Sequence, residues 1–276
     1  MITGINKKNL MHNKNLLYKN GTLHYRILGQ GNPVVLLHGF GEDSSVWDEL
    51  AAVLSKNYLL IIPDIAGTGS SSLLSGENIG MEDYADSIYA ILQKENIEKC
   101  TMIGHSMGGY ITLAFAEKYP QMLHAFGLFH SSAYADDETK KETRKKAIEF
   151  INQNGSAAFL KTSTPGLFMD AQKNKEDINR LIEKGASFKP EALVQYYGAM
   201  IARPDHTHVL KTFSGPVLFI LGTHDKAVLL EHGLEQSHLP ATAHIHILRH
   251  SAHMGMLEEK EKSLFVFTDF LQGIYV

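Results

Sequence analysis

The sequence predicts an α/β fold, a mostly parallel twisted sheet covered by helices on both faces. Short apolar runs of strand length alternate with helical stretches from Pro33 to Phe129, a rhythm that requires crossover connections and hence parallel strands. The runs Pro33–Leu37 and Pro216–Leu221 are apolar throughout instead of alternating, as strands buried on both faces must be. Between these regions, from about Ser132 to His208, only helical patterns occur.

The elements follow in order. The first dozen residues are polar and rich in Asn and Lys, and read as a loose lead-in. Asn15–Tyr18 and Thr22–Leu28 flank Asn20-Gly21, a hairpin signal that opens the sheet with an antiparallel pair. Then come a strand at 33–37, a helix at 46–55, a strand at 58–62, a helix at 81–95, a strand at 100–103, a helix at 107–118 and a strand at 123–129. A structureless loop over 132–208 is implausible in a compact domain, so this stretch is expected to be a helical insertion dividing a core of 1–131 and 209–276. Its basic run, Lys140, Lys141, Arg144, Lys145 and Lys146, lies away from Ile148 and Ile151 on the helix and reads as a solvated face. Strands resume at Pro216–Leu221 and Ala243–Leu248, with a closing helix from about Leu257.

Composition bounds the function only loosely. A chain of 276 residues, 44% hydrophobic and 20% charged, is ordinary for a soluble globular protein. A net charge of −4 gives no reason to expect nucleic acid or an anionic membrane as partner. The single cysteine, Cys100, has no internal partner for a disulfide and reads as a small buried apolar residue. No stretch approaches the ~20 apolar residues of a membrane span, and no signal-like segment is present. A soluble cytoplasmic protein acting on a small molecule is expected, with homo-oligomerisation left open.

The chemistry is concentrated in Gly104-His105-Ser106-Met107-Gly108-Gly109, which joins a buried strand to a helix. In G-x-S-x-G the glycines permit a turn so sharp that side chains at their positions would collide, and the serine is pushed out beside the first amides of the helix. Ser106 is therefore the candidate nucleophile. A serine hydroxyl needs a base, an acid to orient it and an oxyanion hole, and after a turn of this kind the chain order is Ser, then Asp or Glu, then His. Asp225 follows the strand 216–221 within Gly222-Thr223-His224-Asp225 and is the candidate acid, with Asp136 the second choice. His253, in the small-residue loop before Gly255, is the candidate base, with His250 the alternative. The amides of Met107 and of Phe40, the latter between Gly39 and Gly41, are the candidate oxyanion donors. His38 reads as a loop residue bonded to backbone. The pairs His206/His208 and His244/His246 have no carboxylate or cysteine at ligand spacing, so neither a metal nor another cofactor is expected.

With these residues in view the chain resembles the α/β-hydrolase fold superfamily, in its capped esterase-like branch with an HGFG oxyanion loop and a GHSMGG nucleophile elbow, over about residues 20 to 272. HGFGEDSSVW resembles the oxyanion loop with Trp47 opening the first helix. PDIAGTGSS resembles the D-R-P-G-x-G-x-S loop in Asp64, Gly67, Gly69 and Ser71, with Ile65 and Ala66 in place of Arg and Pro. The resemblance implies the triad Ser106, Asp225 and His253 and makes the insertion a cap over the site. The bulky residues of that cap, among them Phe159, Leu167, Phe168, Met169, Phe188, Tyr196, Tyr197, Met200 and Ile201, are shared between its own core and a substrate pocket in proportions that spacing does not resolve. The activity implied is hydrolysis of small to medium uncharged carboxylic esters through an acyl-enzyme. The alternatives are another reaction of the triad, such as C–C bond hydrolysis or perhydrolysis, and a low-turnover ligand receptor. C–C hydrolases of this type usually have an aromatic residue after the base, where this chain has Met254. The branches with an aspartate nucleophile are excluded by Ser106.

Overall fold

The computed structural model describes residues 11–275, so most of the expected lead-in lies outside the described residues. Eight strands form one sheet: β1 (His12–Tyr18), β2 (Gly21–Leu28), β3 (Asn32–Leu37), β4 (Tyr58–Pro63), β5 (Cys100–His105), β6 (Leu123–Phe129), β7 (Val217–Gly222) and β8 (Ala243–Leu248). Their order is β1-β2-β4-β3-β5-β6-β7-β8. β2 pairs antiparallel with β1 and β4, and all the remaining pairs are parallel. The carboxyl ends of β3, β5, β6, β7 and β8 therefore lie along one edge, where ligand sites of open α/β sheets gather.

Both faces of the sheet are covered, which explains the unbroken apolar strands. Val35 and Leu37 join one buried cluster with α2 (Met81–Lys94) and α3 (Met107–Lys118). Val34 and Leu36 point the other way, into a second cluster with α1 (Asp48–Leu54) and the C-terminal helix. Trp47 closes a 3₁₀ turn (Ser44–Trp47) before α1 and packs fully buried between Phe129 and Phe267.

Between β6 and β7 the chain forms α4 (Glu138–Ser163), a 3₁₀ turn (Thr164–Leu167), α5 (Lys175–Gly185), α6 (Pro190–Ala202) and α7 (Thr207–Thr212). α4 breaks at Gly155, whose φ of 80° and ψ of 170° interrupt the helix. α7 straddles position 208, and its Val209 and Leu210 belong to the core cluster beneath α3.

Three local expectations shift. The hairpin loop is Lys19-Asn20, with Lys19 at φ 50°, and Gly21 already pairs with Tyr18 in β2. Gly21 answers to a close approach instead: a Cβ there would lie 2.7 Å from Ser72 Cβ. A short helix, α8 (Leu230–Gln236), was not expected; its Gly233 sits where a Cβ would meet Leu221 at 2.3 Å. The closing helix is split into α9 (Gly255–Glu258) and α10 (Lys260–Ile274).

Candidate active site

β5 runs into α3 through Ser106, whose φ of 51° and ψ of −116° place a non-glycine residue in strained backbone. The flanking glycines are required by contact: a Cβ on Gly104 would lie 2.2 Å from the Gly108 carbonyl carbon, and one on Gly108 would lie 2.5 Å from Leu37 O. The elbow is fastened from below, where Ser106 N–H donates to Phe129 O at 2.9 Å and Ser131 Oγ donates to Ser106 O at 2.7 Å.

Ser106 Oγ lies 2.9 Å from His253 Nε2, and His253 Nδ1 lies 2.8 Å from Asp225 Oδ2. Ionised Asp225 can only accept, so Nδ1 carries the ring proton and Nε2 is left to accept from the serine. The other oxygen of Asp225 accepts the amides of Ala227 and Val228 at 2.8 and 2.9 Å. Burial opposes ionisation of Asp225, but His253 and His130 outweigh it and hold its pKa far below the usual carboxylate range. Ser106, His253 and Asp225 are thus brought together. Asp136 and His250 are not: Asp136 pairs with Arg144 and Arg203, and His250 is exposed, its amide held by Glu259.

Met107 is the first residue of α3, so its amide has no partner within the helix. Phe40 follows β3 on the same edge, next to Gly41 at φ 74°, and its ring stacks on Tyr197 at 4.2 Å. His38 serves the loop itself: its Nε2 accepts the Ile65 amide at 2.9 Å, and its Nδ1 faces Gly39 O at 2.8 Å. The loop with Ile65 and Ala66 is further held by Tyr196, whose hydroxyl donates to the carbonyls of both.

Several neighbours of the site were not anticipated. His130, directly after β6 and buried at φ 49°, sets its Nδ1 3.2 Å from Asp225 Oδ2, close but poorly aligned. Its Nε2 accepts the Gly255 amide, which leaves the proton on Nδ1. Burial lowers its pKa to about 4 despite the attraction of Asp225. Its place after a strand at the sheet's carboxyl edge was the available signal. Glu42 is buried beyond the HGFG segment, accepts the Gly39 amide at 2.7 Å and faces His105 Nδ1 at 3.0 Å. His130, Asp225 and His253 are the one group among the described residues whose ligand atoms lie close enough to share a metal; the His253–Asp225 hydrogen bond and the close approach of His130 to Asp225 account for their spacing.

Arg203 forms a buried ion pair with Asp136 at 2.9 Å. One further expectation is amended. Glu117, from α3, faces His208 Nε2 at 2.7 Å and His206 Nε2 at 3.2 Å, a carboxylate that spacing along the chain did not reveal.

A cleft with room for about 80 Å³ opens at the loop after β3, lined by Phe40, Glu42, Leu160, Ser163, Thr164, Leu167, Tyr197 and, next to His253, Met254. Of the bulky residues of the helical segment, Leu167 and Tyr197 face this cleft, Phe168, Phe188, Tyr196 and Met200 are buried in cores, and Met169 is exposed.

A family model described as the α/β hydrolase fold matches residues 32–134, and the architecture agrees throughout. The chain has the α/β-hydrolase fold. The protein superimposes on a thermophilic esterase from Thermogutta terrifontis with a TM-score of 0.90 at 25% identity, over 96% of this chain and 100% of that one. It is 26% identical to 3-oxoadipate enol-lactonase 1 of Acinetobacter baylyi, over 92% of this chain and 94% of that protein. It is 25% identical to a 2-hydroxy-6-oxononadienedioate/2-hydroxy-6-oxononatrienedioate hydrolase of a Pseudomonas species, over 91% of this chain and 92% of that protein. Uncharacterised mycobacterial proteins match at 31% identity over 113 residues, and the chain spans about a third of their length. Among the described residues no helix is long and apolar enough to cross a membrane.

Proposed function

We propose that the protein is a serine hydrolase that cleaves small to medium uncharged carboxylic esters through an acyl-enzyme. The observation that carries this reading is the hydrogen-bonded chain from Ser106 Oγ through His253 to Asp225, at 2.9 and 2.8 Å, on a strained elbow. Ser106 Oγ attacks the ester carbonyl as its proton passes to His253 Nε2, and Asp225 steadies the imidazolium that forms. The carbonyl oxygen takes up negative charge facing the amides of Met107 and Phe40. His253 returns the proton to the departing alkoxide, which leaves as the alcohol. Water then attacks the acyl-enzyme with His253 again as base, releasing the acid and restoring Ser106.

The helical insertion acts as a cap on this site. A cleft of about 80 Å³ is far below the several hundred Å³ of a pocket for a drug-sized ligand, which supports a short acyl group. Its lining is mainly apolar, its one carboxylate, Glu42, is paired with His105, and Arg144, 5.5 Å from the centre of the Tyr197 ring, is already paired with Asp136, which supports an uncharged substrate. Composition supports a soluble, cytoplasmic setting.

A second reading, hydrolysis of a C–C bond, draws support from the likeness to the Pseudomonas hydrolase and is opposed by Met254 after the base. The deciding experiment is fluorophosphonate labelling followed by a panel of p-nitrophenyl esters. One adduct on the Ser106 peptide with turnover of short esters is expected. Labelling without turnover of any ester would replace the ester reading with a more specialised hydrolase or a ligand receptor.

A further inference from the structure

The loop that carries His253 is held by the main chain of three successive residues. Ala252 N–H donates to Glu258 Oε2 at 2.9 Å, and Met254 N–H donates to the same oxygen at 3.3 Å. Between them His253 N–H donates to Leu167 O at 2.9 Å. Leu167 ends the 3₁₀ turn of the helical insertion, and two residues later Met169 N–H donates to Glu258 Oε1 at 2.7 Å. One carboxylate therefore takes three amide donors, two on either side of His253 and one from the insertion. An ionised carboxylate suits this place because it accepts at both oxygens and donates at neither.

We propose that Glu258 is a positioning residue that couples the seating of the helical insertion to the alignment of His253. This rests on the reading of His253 as the base. The imidazole reaches Ser106 only if the main chain at 252–254 holds it there, and a misplacement of about 1 Å can cost on the order of 10²-fold in rate. When the insertion lifts, Leu167 O and Met169 N–H leave together, so the His253 amide loses its acceptor and Glu258 one of its donors. The base is thus set only while the insertion is seated over the cleft.

Two substitutions test the link from opposite ends. Glu258→Gln turns an NH₂ group toward amide donors. Met169→Pro deletes the donor on the insertion and leaves Glu258 intact, whereas Met169→Ala keeps the donor and changes only an exposed side chain. With p-nitrophenyl acetate, Glu258→Gln and Met169→Pro are each expected to lower kcat about tenfold or more with KM little changed. Both should slow fluorophosphonate labelling of Ser106 in parallel and speed hydrogen exchange in peptides spanning both 166–170 and 251–255. Met169→Ala should match the unsubstituted protein. The proposal is overturned if Met169→Pro loosens only its own segment and leaves kcat and exchange at 251–255 unchanged, and this arm stands even where Glu258→Gln fails to fold. If the unsubstituted protein neither labels at Ser106 nor hydrolyses esters, the functional reading falls, while the exchange measurements still decide the coupling.

Discussion

His105 Nε2 donates to the carbonyl oxygen of His253 at 2.8 Å, and its Nδ1 faces Glu42. Both ring nitrogens meet acceptors, so the ring carries both protons and forms a buried ion pair. Burial disfavours the charge on each, but their mutual attraction prevails, raising the His105 pKa and lowering that of Glu42. Removing one partner of such a pair costs ~3–5 kcal/mol, because the other charge stays buried. Glu42→Gln is therefore expected to lower Tm by roughly 10 °C in a thermal melt. Glu42→Gln combined with His105→Gln should recover part of the loss; a double variant less stable than either single one would refute the pairing.

The same groups set a pH window for stability. The raised pKa of His105 makes a contribution that is complete below the imidazole's unfolded value and is lost as pH rises through its folded one. The lowered pKa of Glu42 makes one that is present above the unfolded carboxyl value and is lost as pH falls through its folded one. His130 acts in the opposite sense to His105. With its pKa lowered from 6.5 to about 4, it loses stability, ~3 kcal/mol in all, as pH falls across that interval. Denaturant melts from pH 4 to 9 should show stability declining on the acid side through His130, and His130→Gln should flatten that limb.

Asp225→Asn is expected to leave the fold intact and lower kcat by up to about 10⁴, since an amide favours the wrong imidazole tautomer. Asp136→Asn should show the converse, a large loss of stability with a much smaller loss of kcat, because it leaves Arg144 and Arg203 without their shared carboxylate. Steady-state kinetics alongside melts separate the two, and the reverse ranking would move the acid to Asp136.

Tyr197→Ala removes the ring that stacks on Phe40 and lines the cleft. It should shift the best p-nitrophenyl ester toward longer acyl chains. An unchanged chain-length profile would place the acyl group elsewhere.

The elbow was legible because its constraints are local. A side chain on Gly104 would collide with the backbone of Gly108, four residues on, so that requirement is written in the sequence of the turn itself. The parallel sheet was legible for a related reason, since strands buried on both faces cannot alternate. His130, Glu42 and Glu258 were not, because each gains meaning only when separate strands end on one edge. Glu117 makes the same point: it meets His206 and His208 across the packing of α3 on α7, at a separation no spacing rule covers. Asp225 and Asp136 looked alike as aspartates after strands, and what tells them apart is their company, His253 at Asp225 and two arginines at Asp136.

The insertion grips the His253 loop through Leu167 O, a group that every residue supplies, and Met169 N–H, which every residue except proline supplies. Side chains at 167 and 169 can therefore drift from one descendant sequence to another without disturbing the grip. Leu167 also lines the cleft, so a lineage could retune what the protein accepts while inheriting its chemistry unaltered. Only proline at 169, or a change in the length of the turn, would bind the two histories together.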